Sequence, residues 1–175
     1  MERASSSSSP FELLGLPVQF DLDPGAIEAA FFERSKELHP DRFANAPAAE
    51  RVAVLSRSRA LNDAYQVLKK PVRRAQYLLE REGVTIGDNE RIDPAMVMRV
   101  LELREELAEA KAAHDRVAIS VMREAMGKRR DQAMAELATH FAAHDLPEVK
   151  RVLIALRYID RYLEECDTAL DVDEE

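Results

Sequence analysis

Apolar residues recur along this chain at helical spacing, and no segment alternates as a half-buried strand would. From about Pro24 to Leu38, the residues Ile27, Phe31 and Leu38 return on one line, with Arg34 and Lys36 lying away from it. From about Ala48 to Lys69 the apolar side is Val52, Leu55, Leu61, Ala64, Tyr65 and Leu68. A shorter helix, Val72 to Arg81, carries Tyr77, Leu78 and Leu79. Three longer helices are expected at about 94–112, 116–143 and 147–166. The punctuation agrees with this reading. Asp23-Pro24 and Asp93-Pro94 each supply an N-cap followed by proline at the first helical position. Pro40, Pro71, His114-Asp115 and His144-Asp145-Leu146-Pro147 break the pattern. At the start, Pro10 to Pro17 forms a short helical turn closed by Gly15, and Phe20-Asp21-Leu22 is extended. The expected fold is all-α: a small helical domain, then a three-helix bundle.

The glycine- and asparagine-bearing stretch 83–93 separates a domain at 10–82 from a bundle at 94–166, with Ile86 and Ile92 able to pin it. The serine-rich residues 1–9 and the acidic residues 167–175 are expected as tails. Charge shifts at the same place. Residues 1–82 carry 12 basic and 12 acidic side chains, whereas 83–175 carry 13 and 21, so the whole net charge of −8 lies in the second half. That half repels nucleic acid and anionic membranes. No apolar run is long enough for a membrane span, and the N-terminus has no apolar signal core. The one cysteine, Cys166, excludes an internal disulfide or a multi-cysteine zinc site and fits a cytoplasmic location.

Two bundle helices hold more apolar residues than one buried face needs. At about 100° per residue, Met96, Val100, Leu103, Leu107 and Ala110 share one arc, which is the expected core seam. Val97, Met98 and Leu101 fall to one side of it, beside Glu105 and Glu109. An apolar strip rimmed by carboxylates suits a partner surface, and methionine makes such a contact adaptable. In the last helix Val149, Val152, Leu156, Ile159 and Leu163 share the core arc, while Ile154 and Tyr158 point elsewhere. Packing of these extra residues on the first domain or the linker is the alternative.

His39-Pro40-Asp41 sits between two helices. A histidine near an aspartate has the elements of a general base or a metal site. Nothing in the sequence completes either one. No nucleophile signature, HExxH motif or glycine-rich phosphate loop is present, and the other histidines, 114, 140 and 144, lie in the other half. A plain helix-ending turn and a docking tip are the remaining readings.

With Phe43 after it, Asn62-Asp63-Ala64-Tyr65-Gln66-Val67-Leu68 some twenty residues on, and Arg73-Arg74-Ala75-Gln76-Tyr77-Leu78-Leu79 beyond Pro71, the region 10–82 resembles a J-domain. The resemblance implies an antiparallel helical pair displaying the tripeptide at its tip, where it docks on a DnaK-type chaperone and stimulates ATP hydrolysis. His39, Pro40 and Asp41, supported by Arg34 and Lys36, would be the chaperone-binding residues. Glu33 and Glu37 interrupt the denser basic cluster usual in that family. This favours a dedicated chaperone over a general one.

The string Leu-Glu-Leu-Arg-Glu-Glu-Leu at 101–107 and Leu156-Arg157-Tyr158-Ile159-Asp160-Arg161 resemble the HscB-like proteins, J-type co-chaperones of iron–sulfur cluster assembly. That resemblance implies two partners, the scaffold protein IscU and the specialised chaperone HscA. It implies a scaffold-binding face made of Val97, Met98, Leu101, Glu102, Glu105, Glu109 and Tyr158, where the family often has phenylalanine at the last position. No cofactor is expected, because nothing here would ligate a cluster, and the absence of a four-cysteine module matches the bacterial form. A non-enzymatic adaptor is therefore expected. The rivals are a J-domain protein with another client whose bundle dimerises or packs, and a small enzyme using His39 and Asp41. The acidic second half opposes a nucleic-acid binder.

Overall fold

The computed structural model describes residues 8–87, 90 and 94–171. Expectations that fall on residues 1–7, on Ile92 and Asp93, and on 172–175 lie outside the described residues. All regular structure among the described residues is helical: α1 (Pro10–Leu14), α2 (Pro24–Glu37), α3 (Ala48–Lys69), α4 (Pro71–Arg81), α5 (Pro94–Ala112), α6 (Arg116–Ala142) and α7 (Leu146–Asp171), with one 3₁₀ turn at Pro40–Phe43. The chain divides into two compact units, Met1–Leu78 and Leu79–Glu175.

In the first unit the caps act as their residues dictate. Ser9 caps α1 and so belongs to the fold rather than to a tail: its hydroxyl accepts from the Glu12 amide at 3.2 Å, and its amide donates to the Glu12 carboxylate at 2.8 Å. Gly15 ends α1 at φ 69°, a left-handed conformation that glycine adopts without strain. The Asp23 carboxylate accepts from the Ala26 amide at 2.8 Å and starts α2 behind Pro24. Helices α2 and α3 run antiparallel. Phe31 stacks on Tyr65 with ring centroids 4.2 Å apart, and Glu28, one turn earlier, acts on Lys69, one turn later. Phe11, Leu14, Phe20, Leu22, Ile27, Leu61, Ala64 and Leu68 form the core. Among the described residues one charged side chain is buried, Arg74: it donates to the Leu68 carbonyl at 2.6 Å and lies over the Phe20 ring at 5.3 Å, while its Nε has no hydrogen-bond partner among the described residues. Burial lowers the pKa of its guanidinium.

Two expectations on α3 fail. Val52 and Leu55 are 63% and 60% exposed, and Val54 takes the buried position. Helix α3 has 22 residues and α2 has 14, so at about 1.5 Å per residue α3 outruns its partner by roughly 12 Å. Its first turns have no α2 surface to cover them.

In the second unit α7 supplies most of the core through Val149, Val152, Leu153, Leu156, Ile159, Tyr162 and Cys166. Leu163, expected in the seam, is only half-buried. Helix α7 meets both neighbours: Tyr162 and Cys166 pack with Leu107 and Ala110 of α5 and Ile119 of α6. A helix covered on two sides buries a wider arc than a single seam. Helix α7 also runs through Asp171, so the expected acidic tail is helical over 167–171. The links α5–α6 and α6–α7 share one design. His114 and His144 take left-handed φ values of 53° and 55°, and the aspartate after each, Asp115 or Asp145, accepts from an amide three residues on. Part of the stretch between α4 and α5 is tied to α7. Lys150 reaches Glu90 at 2.7 Å, Gly87 donates to Glu90 at 3.0 Å, and Arg157 donates to the Gly87 carbonyl at 3.5 Å. The hydrogen bond from Lys150 holds the Glu90 carboxyl below its ordinary pKa.

Candidate functional site

The tripeptide is not the irregular loop that Pro40 alone implies. Pro40–Phe43 forms one 3₁₀ turn with Pro40 at its first position and His39 as its N-cap. His39 Nδ1 accepts from the Asp41 amide at 3.4 Å, and Arg42 N donates to the His39 carbonyl at 3.1 Å. Arg42 also donates to the Lys36 carbonyl at the end of α2, at 3.3 Å. The backbone is thereby braced from both sides, while the Asp41 side chain remains 90% exposed. Its carboxylate lies 3.6 Å from His39 Nδ1. A carboxylate fixed on a short rigid turn and left open to solvent can form a bidentate pair with an arginine of a partner at little entropic cost.

The basic support on α2 is thin. Lys36 is paired with Glu33 at 2.6 Å, both side chains being exposed. Arg34 extends toward the end of α1, where a side chain on Gly15 would meet its guanidinium at 2.9 Å. Among the described residues neither cation pairs with His39 or Asp41.

On α5 the expected partner strip is solvent-facing: Val97 is 41%, Met98 58% and Leu101 50% exposed. Glu102, Glu105 and Glu109 are exposed beside it, with Glu102 paired to Arg99 at 3.1 Å. Tyr158 is half-buried and lines a solvent-open cavity of about 680 Å³ between α5, α6 and α7. None of the six α5 residues of the expected face lines this cavity. Met96, Val100 and Leu103, expected as core, are half-buried in its wall, facing Val121, Met122 and Met126 of α6 and Ile154 and Ile159 of α7. The seam on α5 closes only from Leu107 onward. Arg104 spans from α5 to Glu165 of α7 at 3.2 Å, and Arg130 of α6 pairs with Asp160 at 2.6 Å.

Tyr162 also lines the cavity; its hydroxyl is buried without a hydrogen-bond partner among the described residues, and sequence reasoning missed it. Burial pushes its pKa up to about 12. Burial likewise raises that of the Cys166 thiol, which makes this cysteine a core residue rather than a nucleophile. Among the described residues no group of three or more His, Cys, Asp and Glu side chains could hold a metal ion, and no helix is long and apolar enough to cross a membrane.

A helical hairpin with a braced, exposed His-Pro-Asp turn, followed in the chain by a three-helix unit, defines a J-domain protein with a C-terminal helical module. Comparison with known proteins agrees at both ends. Residues 9–77 match the DnaJ domain, and residues 92–167 match the HSCB C-terminal oligomerisation domain. The co-chaperone protein HscB homolog of Aliivibrio salmonicida is 35% identical over 92% of this chain and 96% of its own length. That of Aeromonas salmonicida is 36% identical over 90% and 93%. The chaperone HscB from Vibrio cholerae superposes with a TM-score of 0.83 at 32% identity, covering 94% of this chain and 99% of that one. Human co-chaperone HscB, at 22% identity and a TM-score of 0.86, covers 96% of this chain and 85% of its own, and it shares the fold. The chain belongs to the HscB co-chaperone family.

Proposed function

We propose that the protein is an adaptor with two partners. The strip on α5, Val97, Met98 and Leu101 rimmed by Glu102, Glu105 and Glu109, captures an IscU-type iron–sulfur scaffold. The tripeptide engages an HscA-type DnaK-family chaperone through Asp41 and stimulates its ATP hydrolysis, with Arg34 and Lys36 in a minor role. Joining the two partners raises the scaffold's effective concentration at the chaperone. The adaptor itself performs no bond chemistry; hydrolysis belongs to the chaperone.

The observation that carries this reading is the apolar strip left half-exposed on α5 beside carboxylates that carry no ion pair among the described residues, Glu105 and Glu109. Such a strip costs solubility unless a partner covers it. Tyr158 acts from the cavity side, so its ring supports the α7 wall as well as any contact with the scaffold. Calorimetric titration of purified IscU-type scaffold into the full chain tests the reading. Binding is expected for the unaltered chain and is strongly weakened by Leu101→Ala. Unaltered affinity in that variant, or no binding at all, removes the scaffold role.

The description of the matched C-terminal family names oligomerisation, which favours a second reading in which the same strip covers a second copy of the chain. Sedimentation across a concentration range, with and without scaffold, separates the two. Self-association lost on Leu101→Ala, with no scaffold binding, selects the second.

A further inference from the structure

The second half of the chain carries the entire net charge of −8, yet the wall of its cavity has the opposite sign. Four arginines, Arg99, Arg104, Arg129 and Arg151, line it against one carboxylate, Glu106. Each of the four is paired with a glutamate that does not line the cavity. These pairs are formed by partly exposed side chains, a setting in which an ion pair contributes at most about 1 kcal/mol. A guanidinium can therefore turn toward an anion in the cavity at small cost.

Tyr162 bounds the cavity from the core side: it is 6% exposed, and its hydroxyl is buried without a hydrogen-bond partner among the described residues. The remaining wall is apolar and includes three methionines, Met96, Met122 and Met126, whose unbranched side chains adapt to a flexible guest. The volume of about 680 Å³ is that of a small-molecule site.

We propose that this cavity binds an amphiphilic monoanion, an alkyl chain ending in a carboxylate, with the chain along the methionine-bearing wall and the carboxylate met by the arginines. Neither the tripeptide nor the exposed α5 strip takes part, so the site goes beyond the adaptor role and stands without it. A ligand here would also cover the inner side of the first half of α5, which is not closed onto its neighbours.

The test is calorimetric titration of the full chain with decanoate, below its micelle-forming concentration, and with decanol as the uncharged match. One decanoate per chain is expected, with decanol bound about tenfold more weakly, the discrimination of one charge-assisted contact set. Arg129→Gln should weaken decanoate about fivefold to tenfold and leave decanol unchanged. Ala125→Phe, which places a ring in the cavity from an exposed position of α6, should abolish both. No decanoate binding, equal affinity for decanol, or decanoate binding that survives in folded Ala125→Phe overturns the proposal. If Ala125→Phe does not fold, as read by thermal melting, Arg129→Gln decides, because its side chain is 46% exposed and its loss leaves the core intact.

Discussion

Replacing Leu101 and Leu107 by alanine, one at a time, separates a docking surface from a core on the same helix. The chemistry removed is identical; the surroundings are not. Leu107 is 1% exposed and packs with Ala110, Ile119, Tyr162 and Cys166, whereas Leu101 is 50% exposed. Leu107→Ala leaves a cavity and should cost about 2–5 kcal/mol. Burying a whole leucine side chain is worth roughly 1.5–3 kcal/mol, so the half of Leu101 that is covered contributes about 1 kcal/mol to the fold. For a unit of this size about 1 kcal/mol is a melting shift of roughly 4–8 °C, and by the same scale Leu107→Ala should lower the melting temperature by about two to five times as much. Binding should rank the pair the other way. The exposed half of Leu101, if covered by the scaffold, is worth about another 1 kcal/mol, a loss of about fivefold on truncation. Thermal melts and scaffold titrations on the two variants give both rankings. Equal destabilisation would refute the placement of Leu101, and undiminished affinity in Leu101→Ala would refute the docking role of α5.

Other outcomes follow from single observations. His114→Gly and His144→Gly each relieve a left-handed residue of φ 53° or 55°, and the relief of about 1–2 kcal/mol exceeds the added chain entropy of glycine, leaving a gain of roughly 0.5 kcal/mol apiece by denaturant melts. Tyr162 should titrate by ultraviolet absorbance at about pH 12. The phenol is held neutral in the fold and ionises more readily in the unfolded chain, so stability is full below the ordinary value of 10 and declines as pH rises from there toward about 12. Lys150→Ala should free the stretch around Gly87 and Glu90, read as faster amide exchange at Gly87. The depressed Glu90 carboxyl makes its tether present above the ordinary value of 4.5 and lost as pH falls through its lower folded value, so the same loosening should appear in the unaltered chain at acid pH.

The helices and their breaks were legible because proline, aspartate caps and apolar spacing act locally. Pro24, Pro71 and Pro94 begin helices, and His114 and His144 close them. What sequence could not show was how far each partner helix reaches. Val52 and Leu55 have the period of a buried face but lie where α3 runs past α2. Met96, Val100 and Leu103 have the period of a core seam but border a cavity, while Leu107 and Ala110 on the same arc are buried. Tyr162 and Cys166 were missed because α7 is covered from two sides, which no single wheel arc describes. The exposed strip Val97, Met98 and Leu101 was legible, since three apolar residues off the seam of an acidic helix have no inner surface to meet. Tyr158 was placed with that strip by resemblance, and the fold shows it lining the cavity. The internal bracing of the tripeptide was not legible either. It depends on His39 Nδ1 and on Arg42 reaching back to Lys36, and both are set by the 3₁₀ turn.

Whether one chain joins the two partners is tested directly by the steady-state ATPase rate of an HscA-type chaperone, measured with IscU-type scaffold. The full chain should raise the rate more with scaffold present than without it. Asp41→Asn should lose the stimulation while its scaffold affinity stays that of the unaltered chain, and Leu101→Ala should lose only the part that depends on scaffold. Stimulation by Asp41→Asn equal to that of the unaltered chain would contradict the account.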